Sequence, residues 1–258
     1  MPNSFSFHKV FKTENLKQSF GFLALIDPDL KNDAILDQMI ECINNNNFSA
    51  ILVGGSSMAD QKYNDRIKKI KEHSNKPIIL FPGSSEQISK HADAILFTSL
   101  LSGRNPKYLI DEQVKGVKLI KKYGLDVLPT GYLLLDSGDK TSVEKVSETT
   151  PLDSSNYENV LYHALAAQYF GMDFVYLENG SGAMKSINYN LIDYISKNID
   201  IPIIVGGGVK NKKDIESIKD AGARFVVIGT LLEKNPNTEF ISTLLSWLWL
   251  SMLKNLFY

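Results

Sequence analysis

The sequence of 258 residues has one cysteine, two tryptophans and no excess of either charge. A single cysteine, Cys42, excludes an internal disulfide, and its apolar helical setting indicates an inert core thiol. Lysine and arginine number 28 against 29 aspartates and glutamates, so the formal net charge is -1. This neutral balance offers no general attraction to a polyanion, and we therefore expect no nucleic-acid partner.

Long uninterrupted apolar runs are also absent. Segment 1–9 lacks the apolar core of a signal peptide, which predicts a cytoplasmic protein. The apolar C-terminal segment, expected to be a helix over about 237–257, is interrupted by Ser, Lys and Asn, so it does not read as a membrane span. Its surplus apolar surface predicts a homo-oligomer contact, with peripheral membrane contact as the alternative.

What the sequence does contain is a regular alternation of short apolar runs and helical segments. The runs are mostly continuous, which is typical of parallel strands buried on both faces. They cover 20–26, 50–53, 77–81, 94–97, 126–135, 173–177, 201–205 and 224–228. The helical segments cover 33–46, 60–74, 85–91, 105–123, 157–170, 189–198, 211–220 and 237–257. Eight such units predict a single α/β domain over 1–258, a (β/α)8 TIM barrel, with a doubly wound open sheet as the alternative.

A TIM barrel places its chemistry at the C-terminal ends of its strands, and oxygen ligands follow the first two predicted strands. Asp27 and Asp29 come after strand 1, and Gly54-Gly55-Ser56 comes after strand 2. A carboxylate beside a hydroxyl suits Mg²⁺, which prefers oxygen ligands. Taken one at a time, these residues are explained more simply by an Asx turn and a helix cap.

The sixth predicted strand ends in a carboxylate followed by a glycine loop. Tyr176 and Glu178 lie two residues apart, so both side chains point to the same face. Glu178 is placed to bind substrate hydroxyls or to act as a general base, and a structural ion pair is the alternative.

The ends of strands 7 and 8 carry the clearest signal, which is for phosphate. Gly206-Gly207-Gly208 follows strand 7, and Gly229-Thr230 follows strand 8. Consecutive glycines are costly to order and hard to explain by packing alone. Loops at these two positions hold phosphate in many barrels through backbone N–H groups.

The polar segment 136–156 is longer than a usual connection, so it is either a lid or a tolerated insertion. Lys140 and Lys210 are candidates for contact with a second phosphate, although a solvated role is the simpler interpretation. The four histidines lack metal-ligand spacing, and we expect structural roles for them.

Together these motifs resemble the geranylgeranylglyceryl phosphate synthase family, including its bacterial heptaprenylglyceryl phosphate relatives. The motifs are Leu25–Asp29, Val53–Ser56, Thr130–Tyr132, Tyr176–Gly182, Val205–Val209 and Gly229–Thr230, in order over about 20–233. The resemblance implies a Mg²⁺-dependent prenyltransferase. Such an enzyme joins the C3 hydroxyl of sn-glycerol 1-phosphate to a long allylic prenyl diphosphate, making the first ether bond of an ether lipid.

The resemblance also implies roles for individual residues. Asp27 and Ser56 are the expected Mg²⁺ ligands, and Glu178 and Tyr176 the expected catalytic pair, with Glu178 accepting or orienting the hydroxyl proton. The residues expected to bind glycerol phosphate are Tyr176, Leu177, Glu178, Asn179, Gly180, Ser181, Gly182, Gly207, Gly208, Gly229 and Thr230.

The sequence departs from the family at two positions. Many members carry lysine where this chain has Leu25 and Leu30, which leaves open how the phosphates are neutralised and indicates the second of the family's two sequence groups. The prenyl length is open as well. Two rival functions are another phosphate-binding barrel enzyme, such as a sugar-phosphate isomerase or lyase, and a non-catalytic phosphometabolite binder. The isomerase or lyase would need an acid–base pair that the predicted ends of strands 3 and 4 do not supply.

Overall fold

The computed structural model describes residues 20–55, 60–138, 140–180, 183 and 186–245. Its strands are all parallel and close into one barrel in chain order, with the last strand pairing back onto the first. They are β1 (Gly21–Ile26), β2 (Ala50–Val53), β3 (Ile78–Leu80), β4 (Ala94–Leu100), β5 (Asp126–Leu134), β6 (Phe174–Glu178), β7 (Ile203–Gly206) and β8 (Phe225–Ile228). The predicted (β/α)8 barrel is confirmed, and the open-sheet alternative is wrong.

Helices follow the strands and cover the outside of the barrel. They are α1 (Leu36–Asn44), α2 (Tyr63–His73), α3 (Glu112–Tyr123), α4 (Ser142–Ser147), α5 (Tyr157–Tyr169), α6 (Tyr189–Ser196), α7 (Lys212–Asp220), α8 (Thr230–Lys234) and α9 (Thr238–Leu245). The predicted C-terminal helix is present as far as α9, and 246–257 lie outside the described residues. No helix within the described ranges is long and apolar enough to cross a membrane.

The alternation of side chains along each strand divides the core into two layers. In β1, Phe22 and Ala24 belong to the outer layer beneath the helices, whereas Leu23 and Leu25 pack in the barrel interior. Asp27 continues the inward-facing series just beyond the end of the strand. Side chains alternate in the same way along the other strands, so the inward-facing side chains at the strand ends meet at the mouth of the barrel.

Local signals in the sequence fix several helix ends. Asn156 accepts a hydrogen bond from the backbone N–H of Asn159 at the start of α5, and Asn211 forms a reciprocal capping box with Asp214 at the start of α7. Gly124 ends α3 in the left-handed conformation, at a φ of 66°. These caps explain why the predicted boundaries of the three helices agree with the structure to within a residue or two at those ends.

The region predicted as one helix over 105–123 begins instead with a π-helical turn, Lys107–Asp111. A π turn breaks the regular backbone pairing. The amide of Gln113 donates to the carbonyl oxygens of Tyr108 and Thr98, and so ties the turn to strand β4. The segment predicted as a helix over 85–91 is only a 3-10 turn, Ser85–Gln87.

Candidate active site

A cavity of about 340 Å³ opens at the C-terminal ends of the strands. Its polar end is lined by Asp27, Lys31, Gly55, Glu178, Gly180, Gly229, Thr230 and Glu233. It continues as an apolar groove lined by Ile88, Ile95, Phe97, Tyr108, Gly116, Ile120, Val143 and Val146. One continuous space therefore joins a charged pocket to a hydrocarbon-like channel.

Asp27 lies at the polar end, with its side chain only 18% exposed. Burial raises the pKa of Asp27 above its usual value, although the neighbouring Lys31 ammonium opposes that rise. Gly55 approaches it so closely that a Cβ there would lie 2.8 Å from the carboxylate carbon. Ser56, the other expected Mg²⁺ ligand, lies outside the described residues. A partly desolvated carboxylate at the cavity wall fits a hard cation such as Mg²⁺.

A second carboxylate at this end belongs to Glu233 on α8, which the sequence patterns did not single out. Asn32 holds it, because the Asn32 amide nitrogen donates to Glu233 Oε1 at 3.0 Å and to the carbonyl oxygen of Asp27 at 2.8 Å. Lys31 Nζ lies 3.2 Å from Asp27 Oδ2 and 3.8 Å from Glu233 Oε1. Among the described residues, no group of three or more Asp, Glu, His or Cys side chains forms a metal cluster.

Glu178 ends β6 and is 7% exposed. The backbone N–H of Gly180 donates to its Oε1 at 2.6 Å, and the hydroxyls of Tyr132 and Tyr176 also donate to it. These donors favour the charged form, yet burial is the larger effect and raises the pKa of Glu178. The site therefore holds a fixed carboxylate that is a stronger base than one in water.

Tyr176 lies at the centre of an aromatic group within the barrel mouth. Its ring stacks on Phe81 at a centroid distance of 5.1 Å and packs on Tyr132 at 5.1 Å. Its hydroxyl lies so close to β7 that a Cβ on Gly206 would be 2.0 Å from the oxygen. Both the ring and the hydroxyl of Tyr176 are fixed, which in turn fixes the Glu178 carboxylate.

The loops after β6 and β7 meet beside this carboxylate. Gly180, Gly207 and Gly208 have φ values of 95°, 78° and 75°, a region that residues with a side chain rarely adopt. A Cβ on Gly207 would lie 2.4 Å from the Gly180 carbonyl oxygen and 2.7 Å from Glu178 Oε1. Glycine is thus required by both conformation and space, and the half-buried backbone of Gly207 and Gly208 suits an anion.

Asp214 holds the loop after Gly208 in place and was also not singled out from the sequence. Its carboxylate accepts hydrogen bonds from the backbone N–H groups of Lys210 and Asn211 and from the Tyr189 hydroxyl at 2.8 Å. The Asn-x-x-Asp capping box, readable in the sequence, is the signal that could have identified it.

Of the remaining residues expected to bind glycerol phosphate, some line the cavity and others do not. Gly229 packs against Leu25 and, with Thr230, lines the same cavity as Glu178. Asn179 is buried, and its backbone N–H donates to the carbonyl oxygen of Gly206. Leu177 faces the outer core, so any contact with a ligand would involve its main chain only. Ser181 and Gly182 lie outside the described residues.

Segment 136–156 contributes a short helix, α4, that covers the cavity. Thr141 caps α4, and its methyl group would be 2.4 Å from a Cβ on Gly180. At the other end of α4, the Tyr108 hydroxyl donates to the carbonyl oxygen of Val146 at 3.0 Å. This cover touches both the glycine loop and the apolar groove.

The chain is similar to known proteins over most of its length. The model of the PcrB family matches residues 12–246. Geranylgeranylglyceryl phosphate synthases of Flavobacterium johnsoniae and Thermococcus gammatolerans are 44% and 38% identical over 82% and 88% of this chain. The matches cover 87% and 89% of those proteins.

Solved structures show the same relationship. GGGPS of Thermoplasma volcanium has a TM-score of 0.80 and 34% identity, over 90% of this chain and 93% of that chain. The (S)-3-O-geranylgeranylglyceryl phosphate synthase of Thermoplasma acidophilum, solved with its substrate sn-glycerol-1-phosphate, has a TM-score of 0.81 and 31% identity, over 90% and 94%. With a family match over residues 12–246 and relatives of this similarity, the chain belongs to the PcrB family.

Proposed function

We propose that this protein is a geranylgeranylglyceryl phosphate synthase. It transfers a geranylgeranyl or similar long prenyl group from its diphosphate to the C3 hydroxyl of sn-glycerol 1-phosphate. The observation that carries the proposal is one continuous cavity, in which Gly180, Gly229 and the buried Glu178 carboxylate open into an apolar groove. The names of the relatives support the same reaction.

Glycerol phosphate binds at the polar end. Its phosphate takes the backbone of Gly207, Gly208 and Gly229 and the Thr230 hydroxyl, because a glycine carries no side chain that would keep an anion from its backbone N–H group. The Gly207 loop touches Glu178, so a phosphate in the loop brings the glycerol hydroxyls within reach of that carboxylate.

The oxygen of the C3 hydroxyl forms a bond to the first carbon of the prenyl group. As it does so, Glu178 accepts the proton of that hydroxyl or orients the hydroxyl. The bond between that carbon and the diphosphate breaks, and the diphosphate leaves with the electron pair. Tyr176 and Tyr132 act by hydrogen-bonding the carboxylate and keeping it in place. The prenyl tail occupies the apolar groove, where its burial is favourable.

Mg²⁺ fits the polar end, with Asp27 and Ser56 as its protein ligands. When bound, Mg²⁺ supplies positive charge that stabilises the diphosphate leaving group. We further propose a cytoplasmic enzyme that assembles as a homo-oligomer, with peripheral membrane contact as the alternative role of its apolar C-terminal segment.

The test is product identification with the purified full-length protein. We expect Mg²⁺, sn-glycerol 1-phosphate and geranylgeranyl diphosphate to give the ether product in mass spectrometry. Chelation of Mg²⁺, or replacement of the acceptor by sn-glycerol 3-phosphate, should reduce its yield strongly. Absence of an ether product with every allylic diphosphate from C15 to C35 would exclude the proposed reaction.

A further inference from the structure

Among the described residues that line the cavity, Lys31 is the one with a basic side chain. Its ammonium lies 3.2 Å from Asp27 Oδ2, 3.8 Å from Glu233 Oε1 and 3.9 Å from Asp29 Oδ2. These carboxylates come from the loop after β1 and from helix α8. The ammonium therefore sits between two elements at the rim of the polar end.

The backbone that carries Lys31 is held firmly, while its side chain is accessible. Asp29 accepts a hydrogen bond from the Lys31 backbone N–H at 2.8 Å, and Asn32 next to it ties the turn to Glu233. The Lys31 side chain is nevertheless 55% exposed. Because the backbone is fixed and the side chain is accessible, the Lys31 ammonium can turn from a carboxylate to a ligand without a change in the fold of the loop.

The two leucines at positions where many family members carry lysine do not supply this charge. Leu25 packs in the barrel interior against Gly229, at 3.3 Å from the position of a Cβ there. Leu30 is 71% exposed and is not among the cavity-lining residues of the described chain. Lys31, one position further along, is the residue whose ammonium reaches the cavity.

Charge balance points to the ligand. Both substrates of the proposed reaction carry phosphate, and the described polar end adds the carboxylates of Asp27, Glu178 and Glu233. The loops proposed to bind glycerol phosphate follow β6, β7 and β8, whereas Lys31 Nζ lies 3.2 Å from Asp27 Oδ2, and Asp27 is the proposed ligand of the Mg²⁺ that stabilises the diphosphate. An ammonium at that place suits the second phosphorylated group.

We propose that Lys31 binds the diphosphate of the prenyl donor, its ammonium turning from Asp27 and Glu233 to the diphosphate oxygens. This inference rests on the proposed function. Lys31 donates hydrogen bonds only, to both the bound donor and the departing diphosphate, and transfers no proton. It supplies the fixed positive charge that Leu25 and Leu30 do not.

Three variants test this role: Lys31→Met, Lys31→Arg and, as the matched control, Lys234→Met on the exposed side of α8. Isothermal titration with inorganic pyrophosphate in saturating Mg²⁺ gives a readout independent of turnover. We expect Lys31→Met to weaken pyrophosphate binding, and to raise KM for the prenyl diphosphate, by about tenfold to a hundredfold. KM for glycerol phosphate should stay within about twofold, Lys31→Arg should retain most of the affinity, and Lys234→Met should match the wild type.

Two outcomes overturn the inference: wild-type pyrophosphate affinity in Lys31→Met, or an increase in KM that falls on glycerol phosphate instead of the prenyl donor. Thermal unfolding of each variant identifies loss of fold, and if Lys31→Met is unfolded, Lys31→Gln takes its place. Wild-type protein that binds pyrophosphate through Lys31 yet forms no ether product would refute the proposed function and leave the Lys31 contact standing.

Discussion

Glu178 is where burial and hydrogen bonding oppose each other most directly. Burial destabilises its charged form, while the Gly180 N–H and the hydroxyls of Tyr132 and Tyr176 stabilise it. Burial prevails, so the pKa of Glu178 lies above that of a glutamate in water. A base needs its charged form, so activity that depends on Glu178 should fall as the pH is lowered through this raised pKa.

The first prediction concerns the carboxylate itself. Glu178→Gln keeps the shape of the side chain but cannot accept a proton, so kcat should fall by about a hundredfold or more. KM for glycerol phosphate should change little, because the glycine loops supply the phosphate contacts. Steady-state kinetics with each substrate varied in turn measure both constants. Equal losses in kcat and in glycerol phosphate affinity would reduce Glu178 to a binding group.

The second prediction concerns its hydrogen-bond donors. Tyr132→Phe removes a donor that favours the charged carboxylate, so the pKa of Glu178 should rise further. The acidic limb of the kcat/KM profile should then move to higher pH, by about one unit. Tyr108→Phe is the control, since the Tyr108 hydroxyl bonds to Val146 and not to Glu178. An unchanged limb in Tyr132→Phe, or one moved to lower pH, would contradict the assignment.

At the scale of elements, the strands were predictable because their signal is local. A continuous apolar run closed by a turn residue is visible in the sequence, and each predicted run overlaps the observed strand. Helices α4 and α8 were not predicted, because six and five residues are too few to show a helical period. The π turn before α3 depends on Gln113 meeting Thr98 on another element, which no local pattern contains.

The residues of the candidate site likewise divide into those that the sequence predicted and those that it did not. Asp27, Glu178 and the glycines stand at strand ends, where the strand period fixes their direction, so sequence alone brought them to one rim. Lys31 lies in a 3-10 turn after β1, and Glu233 lies on the short helix α8 after β8. Their direction is set by Asn32, which links two segments about 200 residues apart. Tertiary contacts of this kind cannot be read from periodicity.

The third prediction concerns the groove formed by α3. Gly116 is buried in its wall, and a Cβ there would lie 2.7 Å from the tip of Ile88. Gly116→Leu should therefore narrow the groove and lower kcat/KM for geranylgeranyl diphosphate relative to the C15 donor, by about tenfold. Lys121→Leu, on the exposed side of α3, is the control for the added leucine. An unaltered ratio in Gly116→Leu would exclude this part of the groove as the tail site.

At the scale of the whole molecule, two helices after consecutive strands expose apolar residues to solvent. Ile110, Val114 and Val117 follow a helical repeat through the π turn into α3. Tyr162, Tyr169 and Phe170 do the same along α5 and just past its end. The sequence alone assigned the expected subunit contact to the C-terminal segment. These two apolar stripes, one on α3 and one on α5, offer the same kind of contact.

The fourth prediction is that the protein is a homo-oligomer whose subunits contact each other through these two apolar stripes. Analytical ultracentrifugation should give more than one subunit for the wild type. Val114→Glu should shift the distribution towards the monomer, because a buried unpaired charge opposes association. Lys213→Glu on α7 changes charge away from both stripes and should leave the assembly intact. A wild-type monomer would refute the prediction, and a Val114→Glu oligomer would exclude the α3 surface.

The most direct test of the whole account is a crystal structure of the wild-type protein with sn-glycerol 1-phosphate. The account predicts the phosphate on the backbone of Gly207, Gly208 and Gly229, with the C3 oxygen about 3 Å from a Glu178 carboxylate oxygen. It also predicts that this oxygen faces the opening of the apolar groove. A phosphate bound beside Asp27 instead, or a C3 hydroxyl turned away from Glu178, would contradict it.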